Sequence, residues 1–397
     1  MESSDKKKDS KNRYMSPSFR KGAVKDKKED EEDFKIALMQ VDVDESMSPS
    51  PKKEHKKGGG RRSVQIEQMP SKMKMNEGAG LASVKEGEDG GEKEIETNAL
   101  KEGRVKKIGT LSQAGKGEDG FTKVNQDSFL VIKNKINDHN LPDFNIFSVM
   151  DGHGMNGHLV SRYLTQYFKN YFGSSKKFRD FKTENGVCYR LKKDNCSIIR
   201  RLMKHAEKDI SKSDIDANFS GTTCVMVFQV GEKLICANVG DSRAILVKKN
   251  GIVELSIDQK PNDPKEQKRI EAAGGEVSQY EEDGEKSGPF RVWKKGEMYP
   301  GIAMSRSIGD LIASTLGVVP EPEFIEATLD SDAQFMVLAS DGVWEFLENK
   351  KVAELVMPYY KKNDPDGACQ TLIKESTKWW NQEDIVVDDI TAIVVFF

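Results

Sequence analysis

The chain has no long apolar run. No segment of its 397 residues approaches the length needed to cross a bilayer. The opening MESSDKKKDS lacks the apolar stretch of a secretory signal. Residue 2 is Glu, which excludes the usual N-myristoylation start. Cysteine is scarce: Cys188, Cys196, Cys224, Cys236 and Cys369 are the only five, and none is spaced as CxxC. An odd count without a metal pattern fits a reducing compartment. No charge sign dominates, since 62 basic and 65 acidic residues are interleaved and leave a net charge of −3. Nothing global therefore draws the chain to nucleic acid or to an anionic membrane. There is no internal repeat. These absences predict a soluble, intracellular, cytoplasmic monomer with no nucleic-acid or membrane partner.

Apolar residues are also few, 36% against 32% charged, and the deficit is local. Residues 1–104 read as a disordered, charged N-terminal tail: DKKKDSKNR, KDKKEDEED and SPSPKKEHKKGGGRRS are charge blocks broken by Gly, Ser and Pro. Such composition buries too little apolar surface to offset chain entropy. One patch, Phe34 to Val43, interrupts it as a docking or nascent segment. Ser48, Ser50 and Ser63 sit in kinase-like contexts, and Lys6–Lys8 with Arg61–Arg62 leave nuclear import open beside the plainer reading of solvated charge.

Residues 105–397 read as one catalytic-sized domain. FLVIKN and FNIFSVM read as strands, and GHLVSRYLTQYFKNYF and SIIRRLMKHAEKDI as amphipathic helices. Residues 173–196 between those helices read as an ill-defined connection. TTCVMVFQVGEKLICANVGDSRAILVKKNGIVELS holds four short apolar runs with GE and NG turns, which predicts an antiparallel meander whose two cysteines are buried thiols. DPKEQKRIEAAGG predicts a helix capped by Asp263, with Pro264 at its first position, Glu266 at its third and Gly274 as its stop. FMVLASDG reads as a strand, NKKVAELVMPYYKK and GACQTLIKESTKWW as helices, and ITAIVVFF as a closing strand. Hairpins with helices gathered between them are α+β with antiparallel sheet.

Four aspartates share one kind of address: Asp151 in VMDGHG, Asp241 in NVGDSR, Asp310 in SIGDL and Asp341 in ASDGVW. Asp388 and Asp389 precede the last strand. A single DG is a turn signal. Several carboxylates at strand ends, each beside Gly, point instead to a shared cleft, where they repel one another unless a cation neutralises them. Hard oxygen donors suit Mg²⁺ or Mn²⁺.

FSVMDGHG, SGTTCVMVF, ANVGDSRAIL, DQKPND, GIAMSRSIGD, LASDGVWEF and DDITAIVV stand in the order found in metal-dependent protein phosphatases, the type-2C serine/threonine phosphatases. The resemblance covers about residues 105–397. It implies an α-β-β-α sandwich of two antiparallel sheets flanked by helices, with a Mg²⁺ or Mn²⁺ site at one end. By resemblance Asp151 bridges two metals, the Gly152 carbonyl binds one, and Asp310 and Asp389 bind the other. Asp127 resembles the acid that orients metal-bound water, Asp341 a supporting acid, and Asp241 with Asp310 a weaker third site. GPFRVWKKGEMYPG corresponds to the flap beside the cleft. Two positions depart from the family pattern: Gln126 stands where Glu is frequent, and Thr122 where a phosphate-binding Arg is common. Lys123 is placed to substitute as a point charge, without a bidentate grip on substrate phosphate.

The implied reaction is hydrolysis of phosphoserine and phosphothreonine in proteins. Two metals roughly 3.5–4 Å apart hold a hydroxide in line with phosphorus, and no covalent intermediate forms. His153, two residues from Asp151, is the candidate proton donor to the leaving alkoxide. His158 is an ordinary helix-face residue, the aromatic residues of 163–172 are core, and burial of at least one of Trp379 and Trp380 is expected. A pseudophosphatase scaffold that binds phosphoproteins is the alternative, disfavoured by retention of Asp151, Gly152, Asp310 and Asp389. A two-metal nuclease lacks a basic stripe.

Overall fold

The first core strand, β3 (Phe144–Met150), is buried at every position, as a strand covered on both faces must be, and its two polar residues, Asn145 and Ser148, are hydrogen-bonded to Gln229 and to the Val225 carbonyl. In this computed structural model, which describes residues 104–134, 144–174, 184–384 and 386–397, β3 is paired on both edges. The tail readings, including Phe34–Val43, Ser48, Ser50 and Ser63, lie outside the described residues. β3 pairs with β2 (Ser128–Asn134) and with β6 (Cys224–Val230), and β7 (Lys233–Val239) and β14 (Glu323–Thr328) complete a five-stranded sheet of order β14-β7-β6-β3-β2. A second five-stranded sheet runs β1 (Lys107–Gln113), β16 (Ile390–Phe396), β15 (Ala333–Ala339), β8 (Arg243–Lys248) and β9 (Gly251–Glu254). Every pairing within the two sheets is antiparallel.

The sheets face each other through Phe147, Val149, Val225, Val227, Leu246, Met336, Leu338, Ile393 and Val395. On the outer face of the first, α1 (Gly157–Ser174) and α2 (Glu184–Ile210) bury Leu164, Phe168, Phe172, Leu202 and Met203 against Phe144, Ile146 and Phe228. On the outer face of the second, α6 (Asn349–Lys362) and α7 (Pro365–Glu383) pack Val352, Val356, Cys369 and Leu372 onto Val337, Ile390 and Val394. This is the expected α-β-β-α sandwich. The aromatic stripe of α1 is core, and Cys224 and Cys236 are fully buried thiols. No described helix is long and apolar enough to cross a membrane.

Three expectations change. The segment read as an ill-defined connection is helical from Glu184 onward. Cys196 has a left-handed φ of 58°, a local irregularity at the position where the sequence places the end of the connection. The anticipated meander is two hairpins in different sheets: β6–β7 belongs to the first and β8–β9 to the second. The chain changes sheets at Gly240–Ser242, where Gly240 has a φ of 98° and Asp241 and Ser242 are buried at the corner. Trp379 and Trp380 are both half-buried, and neither is fully enclosed.

The flap consists of α3 (Pro264–Ala272) and the three-stranded sheet β10 (Gly275–Glu282), β11 (Glu285–Lys294) and β12 (Pro300–Ile302). Asp263 caps α3 as expected, accepting from the Lys265 and Glu266 amides. Glu266 points inward rather than back to the cap: it is buried and receives two hydrogen bonds from Arg306, at 2.9 and 2.6 Å, and one from Ser305 Oγ at 2.7 Å.

Candidate active site

A short sheet at one end of the sandwich assembles the motifs. β5 (Gly221–Thr222) lies between β4 (Gly152–His153) and β13 (Ile308–Gly309), with His153 opposite Gly221 and Gly221 opposite Gly309. Residues more than 150 positions apart thus become neighbours. Asp151, at the end of β3, is fixed through its backbone: its amide donates to Thr223 Oγ1 at 3.0 Å and its carbonyl accepts from the Thr223 amide at 2.8 Å. Asp310 follows β13 with φ 46° and ψ 50°, a left-handed conformation that an aspartate tolerates better than most residues. Its amide donates to the Ser220 carbonyl at 2.9 Å.

His153 Nε2 lies 2.6 Å from Asp310 Oδ2, and Ser307 Oγ donates to the same oxygen at 2.6 Å. Gly221 makes this approach possible. A Cβ there would stand 2.0 Å from Asp310 Oδ2 and 2.6 Å from Ser307 Oγ. Gly152 is equally constrained, since its Cβ would meet the Gly157 and Gln126 carbonyl oxygens at 2.4 and 2.6 Å.

The C-terminal acids arrive from the other side. Asp389 Oδ1 accepts from the Gly115 amide at 2.7 Å, and Oδ2 from the Gln126 amide at 2.9 Å. Asp127 is buried beneath them, and its Oδ2 accepts from Ser340 Oγ at 2.9 Å. Gln126 Nε2 donates to the Gly154 carbonyl at 2.6 Å, so the residue that departs from the family pattern ties the 114–127 loop to the DGHG turn. Thr122 is exposed. Lys123, expected to serve substrate phosphate, has its ammonium 2.8 Å from Asp388 Oδ1 and 3.9 Å from Asp389 Oδ1. Asp241, expected by resemblance to share a site with Asp310, takes a 2.6 Å hydrogen bond from Lys260.

The cleft is crowded with negative charge. Burial raises the Asp151 carboxyl well above its ordinary range, and the charges of Asp341, Asp127 and Asp388 raise it further. Asp341 is raised by burial and by the charges of Asp241 and Asp388. Burial pushes Asp127 up to about 7 against the lowering influence of the nearby Thr391 and Ser340 hydroxyls. Burial opposes charge on the His153 ring, yet the carboxylate of Asp310 outweighs it and raises the imidazole. Lys123 and Lys260 are raised in the same way by Asp388 and Asp241.

Donor chemistry fits a divalent cation. Asp127 Oδ1, Asp241 Oδ1 and Asp341 Oδ1 are buried hard oxygens without a hydrogen-bond partner, a costly arrangement that a cation would relieve. Donor spacing is looser than the resemblance implies. Among the described residues no three His, Cys, Asp or Glu side chains converge closely enough to enclose an ion. Asp310 has one oxygen and Asp389 both oxygens turned to protein donors.

Sequence reasoning gave no role to Gly221, Lys260, Ser307 or Arg306. All four lie inside motifs it did quote: SGTT, DQKPND and MSRSIGD. What it lacked was the pairing of β5 with β4 and β13 that brings them to the acids. Arg306 ties the flap to this centre. It bonds Glu266 of α3 and Glu323, while its neighbour Ser307 holds Asp310.

Comparison with known proteins agrees with this arrangement. The family described as Protein phosphatase 2C matches residues 113–384. "Probable protein phosphatase 2C 35" of Arabidopsis thaliana is 34% identical over 304 residues, covering 72% of this chain and 82% of that protein. "Probable protein phosphatase 2C 12" of Oryza sativa subsp. japonica is 37% identical over 190 residues, 46% of this chain and 47% of that one. Among solved structures, a serine-threonine phosphatase 2C from Toxoplasma gondii matches with a TM-score of 0.53 and 19% identity, over 74% of this chain and 100% of that one. At that identity the likeness shows the fold. The chain belongs to the protein phosphatase 2C family, whose members are serine/threonine protein phosphatases and thus hydrolases.

Proposed function

We propose that this chain hydrolyses phosphoserine and phosphothreonine in proteins with bound Mg²⁺ or Mn²⁺ and without a covalent intermediate. The observation that carries the reading is the acid cluster of buried Asp127, half-buried Asp151 and Asp341 and the more exposed Asp388, with three buried, unpartnered carboxylate oxygens at Asp127, Asp241 and Asp341. Phosphate ester hydrolysis requires a very large barrier reduction. The divalent ions, when bound, supply an activated water as nucleophile and neutralise charge on the phosphoryl group.

The residues that would hold them are Asp151 and the Gly152 carbonyl on one side and Asp310 and Asp389 on the other, with Asp241 at a weaker third position. Asp127 lies behind the acid cluster, with one oxygen fixed by Ser340 and the other without a partner, as an acid that orients water requires. His153 has a raised tendency to hold its proton and donates it to the leaving alkoxide. The small sheet fixes its ring beside Asp310, so the donor is oriented before substrate arrives. Lys123 sets the charge balance at Asp388 and Asp389 and, through it, contact with the substrate phosphate.

The test is phosphate release from a phosphothreonine peptide with Mn²⁺, with and without chelator, together with calorimetric titration of Mn²⁺. Metal-dependent release is expected. Peptide binding without release would favour the pseudophosphatase scaffold instead.

A further inference from the structure

Six large apolar side chains among the described residues are more than half exposed: Met155 at 86%, Phe121 at 75%, Met298 at 64%, Val124 at 61%, Ile257 at 60% and Phe219 at 53%. Single exposed apolar residues are ordinary and need no explanation. Their placement here is not scattered, because all but Ile257 stand at the mouth of the acid cleft. Phe121 and Val124 lie on the 114–127 loop, whose Gly115 and Gln126 amides hold Asp389 and whose Lys123 holds Asp388. Met155 follows Gly154, the carbonyl that Gln126 grips, and lies two residues from His153. Phe219 precedes Ser220, whose carbonyl receives the Asp310 amide, and its own carbonyl packs against Gly154. The Phe219 ring meets Tyr299 of the flap edge-on at 6.2 Å, and exposed Met298 is the residue before it in the chain.

We propose that these side chains form an apolar collar that selects phosphoprotein segments carrying large apolar residues beside the phosphorylated serine or threonine. The inference rests on the proposed phosphatase reading and names its substrate class. The 114–127 loop and the Phe219–Ser220 segment are anchored by backbone hydrogen bonds to Asp389 and Asp310, and Gln126 of that loop grips the Gly154 carbonyl beside Met155, so an extended peptide that delivers its phosphate to those acids must lay its flanking side chains on the collar. The acids and lysines beneath can recognise only the phosphate and its charge. Discrimination between flanking sequences falls to the collar, where apolar burial rewards apolar neighbours and offers nothing to acidic ones. Methionine suits a surface that accommodates varied apolar partners.

Two phosphothreonine peptides that differ only at the positions flanking the phosphothreonine, Leu in one and Asp in the other, form the test. They are compared on the full chain and on the double variant Phe121→Ser/Met155→Ser. KM is measured for each peptide, kcat/KM for p-nitrophenyl phosphate serves as control, and fluorescence anisotropy reports peptide binding independently of turnover. The unaltered chain is expected to bind the Leu peptide on the order of 10-fold more tightly than the Asp peptide. The double variant is expected to lose that preference through KM, with kcat and p-nitrophenyl phosphate hydrolysis unchanged. Equal binding of both peptides by the unaltered chain, or a preference that survives in the double variant, overturns the collar. So does sedimentation showing that the unaltered chain is a dimer that the double variant abolishes, since the collar is then a subunit interface. Failure of the phosphatase reading looks different: no hydrolysis of either peptide or of p-nitrophenyl phosphate, with the anisotropy comparison still deciding the collar.

Discussion

His153 Nε2 and Asp310 Oδ2 lie 2.6 Å apart across a space that only a glycine at position 221 leaves open. The imidazole is therefore aimed by a carboxylate that comes from a segment 157 residues away. A positioned acid matters in proportion to how badly the leaving group needs a proton. His153→Gln is expected to slow phosphopeptide turnover by about 10²–10⁴-fold. Its effect on p-nitrophenyl phosphate, which leaves nearly unaided, should be clearly smaller. Measuring kcat for both substrates decides it, and equal slowing would show that the histidine positions other groups rather than donating a proton.

Gly221→Ala probes the same contact from its neighbour. The added methyl would stand 2.0 Å from Asp310 Oδ2 and must push Asp310 off His153 and Ser307. A displacement on the scale of 1 Å at reacting groups costs about 10²-fold in rate. Overpacking of this kind costs about 1–3 kcal/mol in stability. The expected result is a phosphatase rate down about 100-fold in a protein that still melts cooperatively. A normal rate would mean that the pair tolerates separation.

Asp310→Asn keeps the shape of the side chain and removes its charge. Under the proposed function it should abolish most hydrolysis at saturating Mn²⁺, because the replaced group is both a metal-facing acid and the partner of His153. It should also lower the affinity read by Mn²⁺ calorimetry. A variant with near-normal rates would remove Asp310 from the catalytic set.

Glu266→Gln tests the joint between flap and core. Burial disfavours the Glu266 carboxylate, but hydrogen bonds from Arg306 and Ser305 and the charge of Arg306 override this and bring it down to about 2 from an ordinary 4.5. A group depressed in the folded state stabilises the protein above its unfolded value and loses that contribution as pH falls through the folded one. The pair should thus hold the flap fully at neutral pH and release it progressively between pH 4.5 and about 2. Removing the charge leaves Arg306 only the more exposed Glu323 as an anionic partner, so the cost should lie below the roughly 3–5 kcal/mol of a fully orphaned buried charge. The melting temperature of Glu266→Gln should fall at pH 7, and the difference from the unaltered protein should narrow as pH approaches 3. A constant difference across that range would show that the pair contributes shape rather than charge.

Elements were legible where one physical signal was enough. FNIFSVM read as a buried strand because five of its seven positions are apolar. Asp263, Pro264 and Gly274 bracketed α3 because cap chemistry is local. The helix of residues 184–196 was not legible, since Gly186 and the charged run around it weaken local propensity, and the left-handed Cys196 breaks the periodicity. The supposed meander failed for a different reason. Hairpin turns are local, but the crossing from one sheet to the other at Gly240–Ser242 is chosen by which hydrophobic face each hairpin must cover.

By itself the sequence determined the number and type of most elements of the described residues and the fold class they build. Period, capping and strand-end glycines are written along the chain. Only the tertiary structure decided who partners whom. It gave Lys123 to Asp388, Lys260 to Asp241, His153 to Asp310 and Glu266 to Arg306. Each of those pairs other than Lys260–Asp241 joins residues at least 40 positions apart. Such choices follow from burial: a charge carried into a low-dielectric end of the sandwich must find an opposite charge or a hydrogen-bond donor there. Which one it finds depends on the three-dimensional meeting of strands such as β4, β5 and β13, not on anything adjacent in the chain.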